Sequence, residues 1–569
     1  MPLPSLRIPG EQATKQLRPF SRVKQVRDWI ARLPMANRLA AANQLLLQLR
    51  AMNNAQYAVK DRHQFLHELQ PLGKQLYTEL RHSLHNAAIP LSKQQLQTSQ
   101  TLHQLLEAQA TGYKIIVNDL ALEAVGKKAS AWMLQESLYL AIKYLSRQLV
   151  ITYALYQPEA ENVWHELHQL YCFAEDRNLH SESIDDTDPD SVMPVPHTIE
   201  FAYKRIVLLR LTEPYHLLET EAEHTYQLLS LWAASCTFHR LGTLPPQGEY
   251  IIDQASDLPP RYIPPEVDYQ PQQGILIDIT ETRALLNQHL QRMLRATLQE
   301  VSLDGASLIE RRDRDMLLRL SDALSTRPLR HSKRFPLEGK VQVTLGLNAC
   351  HYHLTQRAGF TPQMDELKLR QYSKEKLHPD DSLTPFASAY RAALEKDRGY
   401  SLQEFSIEPW WQQNISPLGI SLSCTEQCAP RHAKVGQIAA YRVHGKQSAR
   451  WQLGVIRWLR TRPALEGDGT LELGMMNLAN GAVAVGIKAI RGTGAGTDYY
   501  RSLMIPRQTS VRQSRSLIVP ALIFDVNTVM AVNMKQRMFY LRLSNMLLAT
   551  RDFAQFEFEI MERPPEFLF

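Results

Sequence analysis

The sequence predicts a multidomain α+β chain: an N-terminal all-α helical array, an antiparallel β-barrel, and a further β-rich C-terminal module. Three observations carry this. At 569 residues the chain is too long for one hydrophobic core. Apolar residues recur at helical spacing from residue 20 to residue 245. From Gly339 onward the pattern changes to short alternating runs separated by turn residues.

The helical stretch comes first. Within residues 131–150, Leu134, Leu138, Ile142, Leu145 and Leu149 share one face, with Gln135, Glu136, Lys143 and Arg147 between them. Leu39, Ala42, Leu46 and Leu49 repeat the pattern, and Pro34, Pro90, Pro158 and Pro214 punctuate the series. Residues 1–250 are expected to form a helical interaction domain, solenoid-like in form but without a clean repeat period. In the acidic stretch 181–196, Asp186, Asp188 and Asp190 alternate like the start of a calcium loop. Ser191 then stands where the turn needs Gly, and His197 where a bidentate Glu is needed, so a solvated loop is expected. Prolines at 259, 260, 264 and 265 mark residues 251–327 as a linker with a strand at 275–280 and helices at 281–300 and 308–324.

The β-region divides in two. Strands are expected around Val341–Leu345 and at 419–423, 437–443, 451–459 and 470–477, forming a barrel over 328–480. The stretch 351–409 reads as an insert in that barrel, carrying a helix at 382–397, with His351 and His353 as alternating strand residues. Residues 481–569 add strands at 482–490, 517–524, 529–533, 538–543 and 553–561.

Composition excludes several classes. Hydrophobic residues at 44% and charged residues at 21% are ordinary for a folded globular chain. No apolar run approaches bilayer length, and the first residues lack a signal-peptide h-region, so a cytoplasmic address is expected. Five cysteines argue against a disulfide framework, and Cys424-x-x-x-Cys428 lacks the second pair a zinc site needs. A net charge of +6 is compatible with anionic ligands without demanding nucleic acid.

Two short motifs open β-stretches: Arg330-His331-Ser332-Lys333-Arg334, an R-x-x-x-R, and Asn414-Ile415-Ser416-Pro417-Leu418-Gly419, an N-x-S-x-x-G. An arginine fork pairs with phosphate oxygens, donates two bonds to guanine O6 and N7, and stacks on a ring. Ser and Asn side chains complete polar contacts, and Gly removes a Cβ where a base lies close. The arginine motif alone is weak, since Arg18-Pro19-Phe20-Ser21-Arg22 also fits it and is followed by helix.

In this order, followed by Val435-Gly436-Gln437-Ile438, Leu453-Gly454-Val455-Ile456 and Glu472-Leu473-Gly474-Met475, the motifs resemble the signatures of PilZ domains, bacterial receptors for cyclic di-GMP. The resemblance covers residues 328–480. It implies a ligand site in which Arg330 and Arg334 hold phosphates and guanine edges, Asn414 and Ser416 contact a guanine, and Gly419 permits its approach. It implies no cofactor beyond the ligand. Asn414 replaces the more usual Asp, Leu329 stands where some members have another Arg, and the gap between the motifs is long. By association, the output concerns motility, type IV pili, surface attachment or biofilm, through a protein partner on the helical region and with recruitment to a membrane-associated machine.

The remaining candidates are weaker. His165-Glu166-Leu167-His168 has its histidines three apart, not the four of a zincin. His63 and His67 read as an incidental helical pair, and the glycine-rich run 492–497 as a loop without phosphate-loop context. No nucleophile–base grouping points to an enzyme. Two alternatives stand beside the receptor: a ligand-independent interaction protein with a degenerate barrel, and nucleic-acid binding through Trp451, Arg457, Trp458, Arg460 and Arg462.

Overall fold

The computed structural model describes residues 4–10, 18–85, 87–122, 128–186, 196–218, 220–241, 249–264, 274–299, 316–324, 334–355, 405–425, 433–444, 450–462, 469–496, 499–507, 514–521, 523–534 and 537–561. They divide into two compact units, Met1–Arg330 and His331–Phe569.

The first unit is built from α1 (Val23–Ile30), α2 (Arg38–Asn54), α3 (Val59–Leu84), α4 (Lys93–Leu122), α5 (Lys128–Ala154), α6 (Val163–Asp176), α7 (Ile199–Leu211) and α8 (Glu221–Leu228). Helix α5 packs against α4, α6, α7 and α8, so these helices surround one core. In a solenoid, by contrast, each repeat contacts only the repeats next to it. The expected apolar face of α5 is buried, and so are its polar residues Gln135, Glu136, Lys143 and Arg147. Each has a partner: Gln135 Nε2 donates to the Glu182 carbonyl, Glu136 meets His63, Lys143 meets Asp186, and Arg147 lies over Tyr77. Burial of charge is tolerable only on such terms.

The described residues of 251–327, expected as a linker with a strand and helices, fall within this unit. Strands β1 (Thr237–Arg240), β2 (Glu249–Asp253), β3 (Arg261–Ile263) and β4 (Gly274–Asp278) form an antiparallel sheet ordered β1-β4-β2-β3. Helix α9 (Thr280–Gln299) and a helix over 316–324, α10, follow. Ile252, Ile277, Leu286, Leu317 and Leu320 join the core of the helices. Asp257 accepts the Asn162 and His165 N–H groups and so caps α6 from 95 residues away. His168 bridges Tyr203 O–H and the Leu258 carbonyl, which ties the proline-rich segment to α6.

The second unit contains two closed six-stranded barrels. The first comprises β5 (Phe335–Leu345), β6 (Glu408–Ser416), β7 (Gly419–Thr425), β8 (Ile438–Val443), β9 (Gln452–Arg462) and β10 (Thr470–Ala479). The second comprises β11 (Val483–Arg491), β12 (Tyr500–Ile505), β13 (Ser516–Pro520), β14 (Val529–Met534), β15 (Arg537–Ala549) and β16 (Phe553–Met561). The C-terminal module is thus a barrel in its own right.

His351 and His353 correct another expectation. They lie on helix α11 (Leu347–Leu354), not on a strand, and both are buried. Leu347 and Cys350 of α11 share a core with Leu453 and Val455 of the first barrel and Leu503, Ile518 and Phe553 of the second. His353 Nε2 lies 2.8 Å from the Phe405 carbonyl. Burial, with help from Arg501, lowers the His351 pKa to about 4. The expected helix at 382–397 lies outside the described residues.

Candidate functional site

The first barrel brings its two motifs together through strand register. Pro336 pairs with Asn414 and Phe335 with Ile415, so Arg334, the residue just before β5, leads into the strand end that meets the close of β6. Arg334 is exposed and Asn414 and Ser416 are partly buried. Asn414–Gly419 is the end of β6, a two-residue turn at Pro417-Leu418, and the first residue of β7. Ser416 Oγ donates to the Gly419 carbonyl at 3.3 Å, and the Leu418 carbonyl accepts the Asn477 N–H at 2.9 Å. Asn477 is held in turn by the Tyr441 hydroxyl at 2.8 Å. Arg334, Asn414, Ser416 and Gly419 therefore share one end of the barrel. Arg330 lies outside the described residues.

Gly419 has a reason inside the fold. A Cβ there would sit 2.3 Å from the Met475 carbonyl oxygen of β10. That contact is with backbone, so no side-chain shift relieves it.

Register extends the site across the sheet. Asn414 pairs with Ser421, Ser421 with Gly474, and Gly474 with Trp458, a row that crosses β6, β7, β10 and β9. Paired residues share a sheet face. Leu422, Leu473 and Leu459 point into the barrel, so this row faces out. A Cβ at Gly474 would lie 1.9 Å from Trp458 Nε1, so the indole rests on that glycine. Ser421 and Gly474 form a low floor between Asn414 and the Trp458 ring. The sequence singles out Gly474 as one of the recurring glycines and gives no sign of Ser421, since only a pairing register sets the two beside Asn414.

The next outward row is Lys340, Trp411, Ser423, Glu472 and Arg460. Glu472 pairs with Arg462 at 3.0 Å. The residues of the nucleic-acid reading have local occupations: Trp451 is buried between His353 and the Arg442 guanidinium, and Trp458 covers Gly474.

The earlier R-x-x-x-R ends at the residue before α1, and its Arg18 lies over the Tyr57 ring. Glu166 of the His165–His168 segment is a buried partner of Lys114 at 2.7 Å, and burial lowers the His168 pKa to about 4. His63 pairs with Glu136 at 2.5 Å. Cys424 is buried on β7, while Cys428 lies outside the described residues. Among the described residues, no helix is long and apolar enough to cross a membrane.

Three domain models match the chain in order: the N-terminal domain of the cyclic-di-GMP receptor FimW over residues 24–245, its middle PilZ domain over 250–410, and its C-terminal β-barrel domain over 485–561. The middle match takes in Arg330–Arg334 and ends at Trp410, at the start of β6. The second motif falls between matched regions. The chain is also similar to the cyclic-di-GMP receptor FimW of Pseudomonas aeruginosa, 25% identical over 98% of this chain and 94% of the relative.

Proposed function

We propose that this chain, which belongs to the PilZ-domain cyclic di-GMP receptor family, binds cyclic di-GMP on its first barrel and relays the bound state to a protein partner. The observation that supports the proposal is the β5–β6 register, Phe335 with Ile415 and Pro336 with Asn414, which leaves Arg334 at the same end of the barrel as Asn414 and Ser416. Arg330 and Arg334 clamp phosphate oxygens and guanine edges, Asn414 and Ser416 complete the guanine contacts, and Gly419 keeps the turn low against β10. We take residues 328–480 as the ligand-binding domain. The sheet formed by residues 237–278 we take as part of the helical domain, whose core it shares.

The arginine motif stands in the segment joining the two compact units, between the helix ending at residue 324 and β5. Ligand binding to these arginines is the event relayed to a partner of the helical domain. Motility, type IV pili, surface attachment and biofilm formation are the processes the family association suggests. So is a cytoplasmic protein recruited to a membrane-associated machine.

Calorimetric titration of the full chain with cyclic di-GMP tests the site. Arg330→Ala and Arg334→Ala should each weaken binding roughly ten- to a hundredfold, the value of a charge-assisted contact. Unchanged affinity in both variants removes the site. No binding by the wild type leaves the ligand-independent interaction protein as the better reading.

A further inference from the structure

Resting on that reading and deepening it, we propose that Trp411 and Lys340 form a second subsite for the ligand: an indole platform for one purine and an ammonium for a phosphate. Consecutive tryptophans on β6 have opposite fates. Trp410 is fully buried in the barrel, whereas Trp411 is 51% exposed on the outer face. An exposed indole on a barrel wall leaves a large apolar surface in water, and its flat face suits a planar partner.

The surroundings specify that partner. Lys340, the register partner of Trp411, holds its Nζ 4.8 Å from the centre of the ring. On the other side Trp411 pairs with Ser423, two residues along β7 from the Ser421 that pairs with Asn414. At strand spacing that is about 7 Å, one step along the outer face from the motif row, away from the Ser416–Gly419 end. The residues between are small or polar: Ser421, Ser423 and Gln413, whose Nε2 donates to Ser423 Oγ at 2.7 Å. No bulky side chain on these rows separates the Asn414 end from the indole.

A cyclic dinucleotide carries two purines and two phosphates, more than the paired motifs alone engage. A purine whose sugar–phosphate ring is held at Arg334 and Asn414 reaches the Trp411 row. There its π-face meets the indole and a phosphate oxygen accepts from Lys340. A cation beside an aromatic ring, continuous with an arginine-bearing motif, selects an anionic planar ligand over an apolar peptide.

The test measures cyclic di-GMP affinity of the full chain by calorimetry, with thermal unfolding and tryptophan fluorescence alongside. Trp411→Ala should weaken binding about five- to a hundredfold, the range for one lost base stack, with an unchanged melting temperature. Trp411→Phe should restore most of the affinity and reduce the ligand-induced change in fluorescence. Lys340→Gln should weaken binding less and reduce its salt dependence. Wild-type affinity in Trp411→Ala, measured beside a weakened Arg334→Ala, overturns the subsite and leaves the motif site standing. Absence of binding by the wild type overturns both.

Discussion

Strands β5–β10 and β11–β16 close in the same order, first-second-third-sixth-fifth-fourth, so the two barrels share one connectivity. Their ends differ. In the first barrel, Arg334 leads into the first strand, and a two-residue turn joins the second strand to the third. In the second barrel, Gly481-Ala482 precedes the first strand, and residues 506–515 connect the second to the third. Between first and second strands, the first barrel carries α11 and a long segment, and the second the glycine-rich run after Arg491. One scaffold therefore supports two surfaces, and the differences lie in the connections between strands that follow the same order.

The largest expected effect concerns what the barrels share. Leu453 of the first and Phe553 of the second are both fully buried in the core around α11. Leu453→Ala and Phe553→Ala should each cost about 3–5 kcal/mol and lower the same denaturant transition of the second unit. Two separable transitions in either variant would break the idea of a common core.

Binding should separate the barrels sharply. Arg334→Ala should lose about 1.5–3 kcal/mol of affinity for cyclic di-GMP. Arg507→Ala, at an exposed position after β12 of the second barrel, should lose none. Equal losses in one calorimetric series would mean that general positive charge, not the motif, draws the ligand.

Asn414 sharpens the comparison within the first barrel. Asn414→Asp should keep or strengthen binding, because a carboxylate accepts more strongly from guanine N–H donors. Asn414→Ala should weaken it by about 1–3 kcal/mol. Lost affinity in a normally folded Asn414→Asp would move this residue away from the guanine edge.

The smallest effect near neutrality comes from protons. His168 in the first unit and His351 in the second both have pKa values lowered to about 4, with burial the main cause. Between pH 6.5 and pH 4 the unfolded chain binds these protons and the folded chain does not, so stability falls as pH falls through that window. Denaturant midpoints at pH 7 and pH 5 measure it. His351→Gln should flatten the slope of the second unit and leave that of the first. An unchanged slope would show that other groups govern the acid response there.

Legibility in the sequence followed the range of the interactions. Helices over most of residues 20–245, the strands after Gly339 and both motifs are written in local periodicity and turn chemistry, so they could be read directly, although β1 (Thr237–Arg240) falls within the stretch that reads as helix. Local patterning also named the order of domains, because each hydrophobic period reports its own secondary structure. It misread places where distant residues decide: α5 reads amphipathic yet its residues 133–153 are buried all round, with Glu136 paired to His63 and Lys143 to Asp186. The proline-rich stretch reads as a linker because its tie to α6 depends on Asp257 and Leu258 meeting Asn162, His165 and His168. His351 and His353 alternate as in a strand, but a helix wedged between two barrels takes them. At the candidate site the sequence itself determined which residue types were present. Only the closed barrel decided that Pro336, two residues after Arg334, pairs with Asn414 and that Asn414 pairs with Ser421, because register is fixed by which faces are buried, a property of the whole sheet.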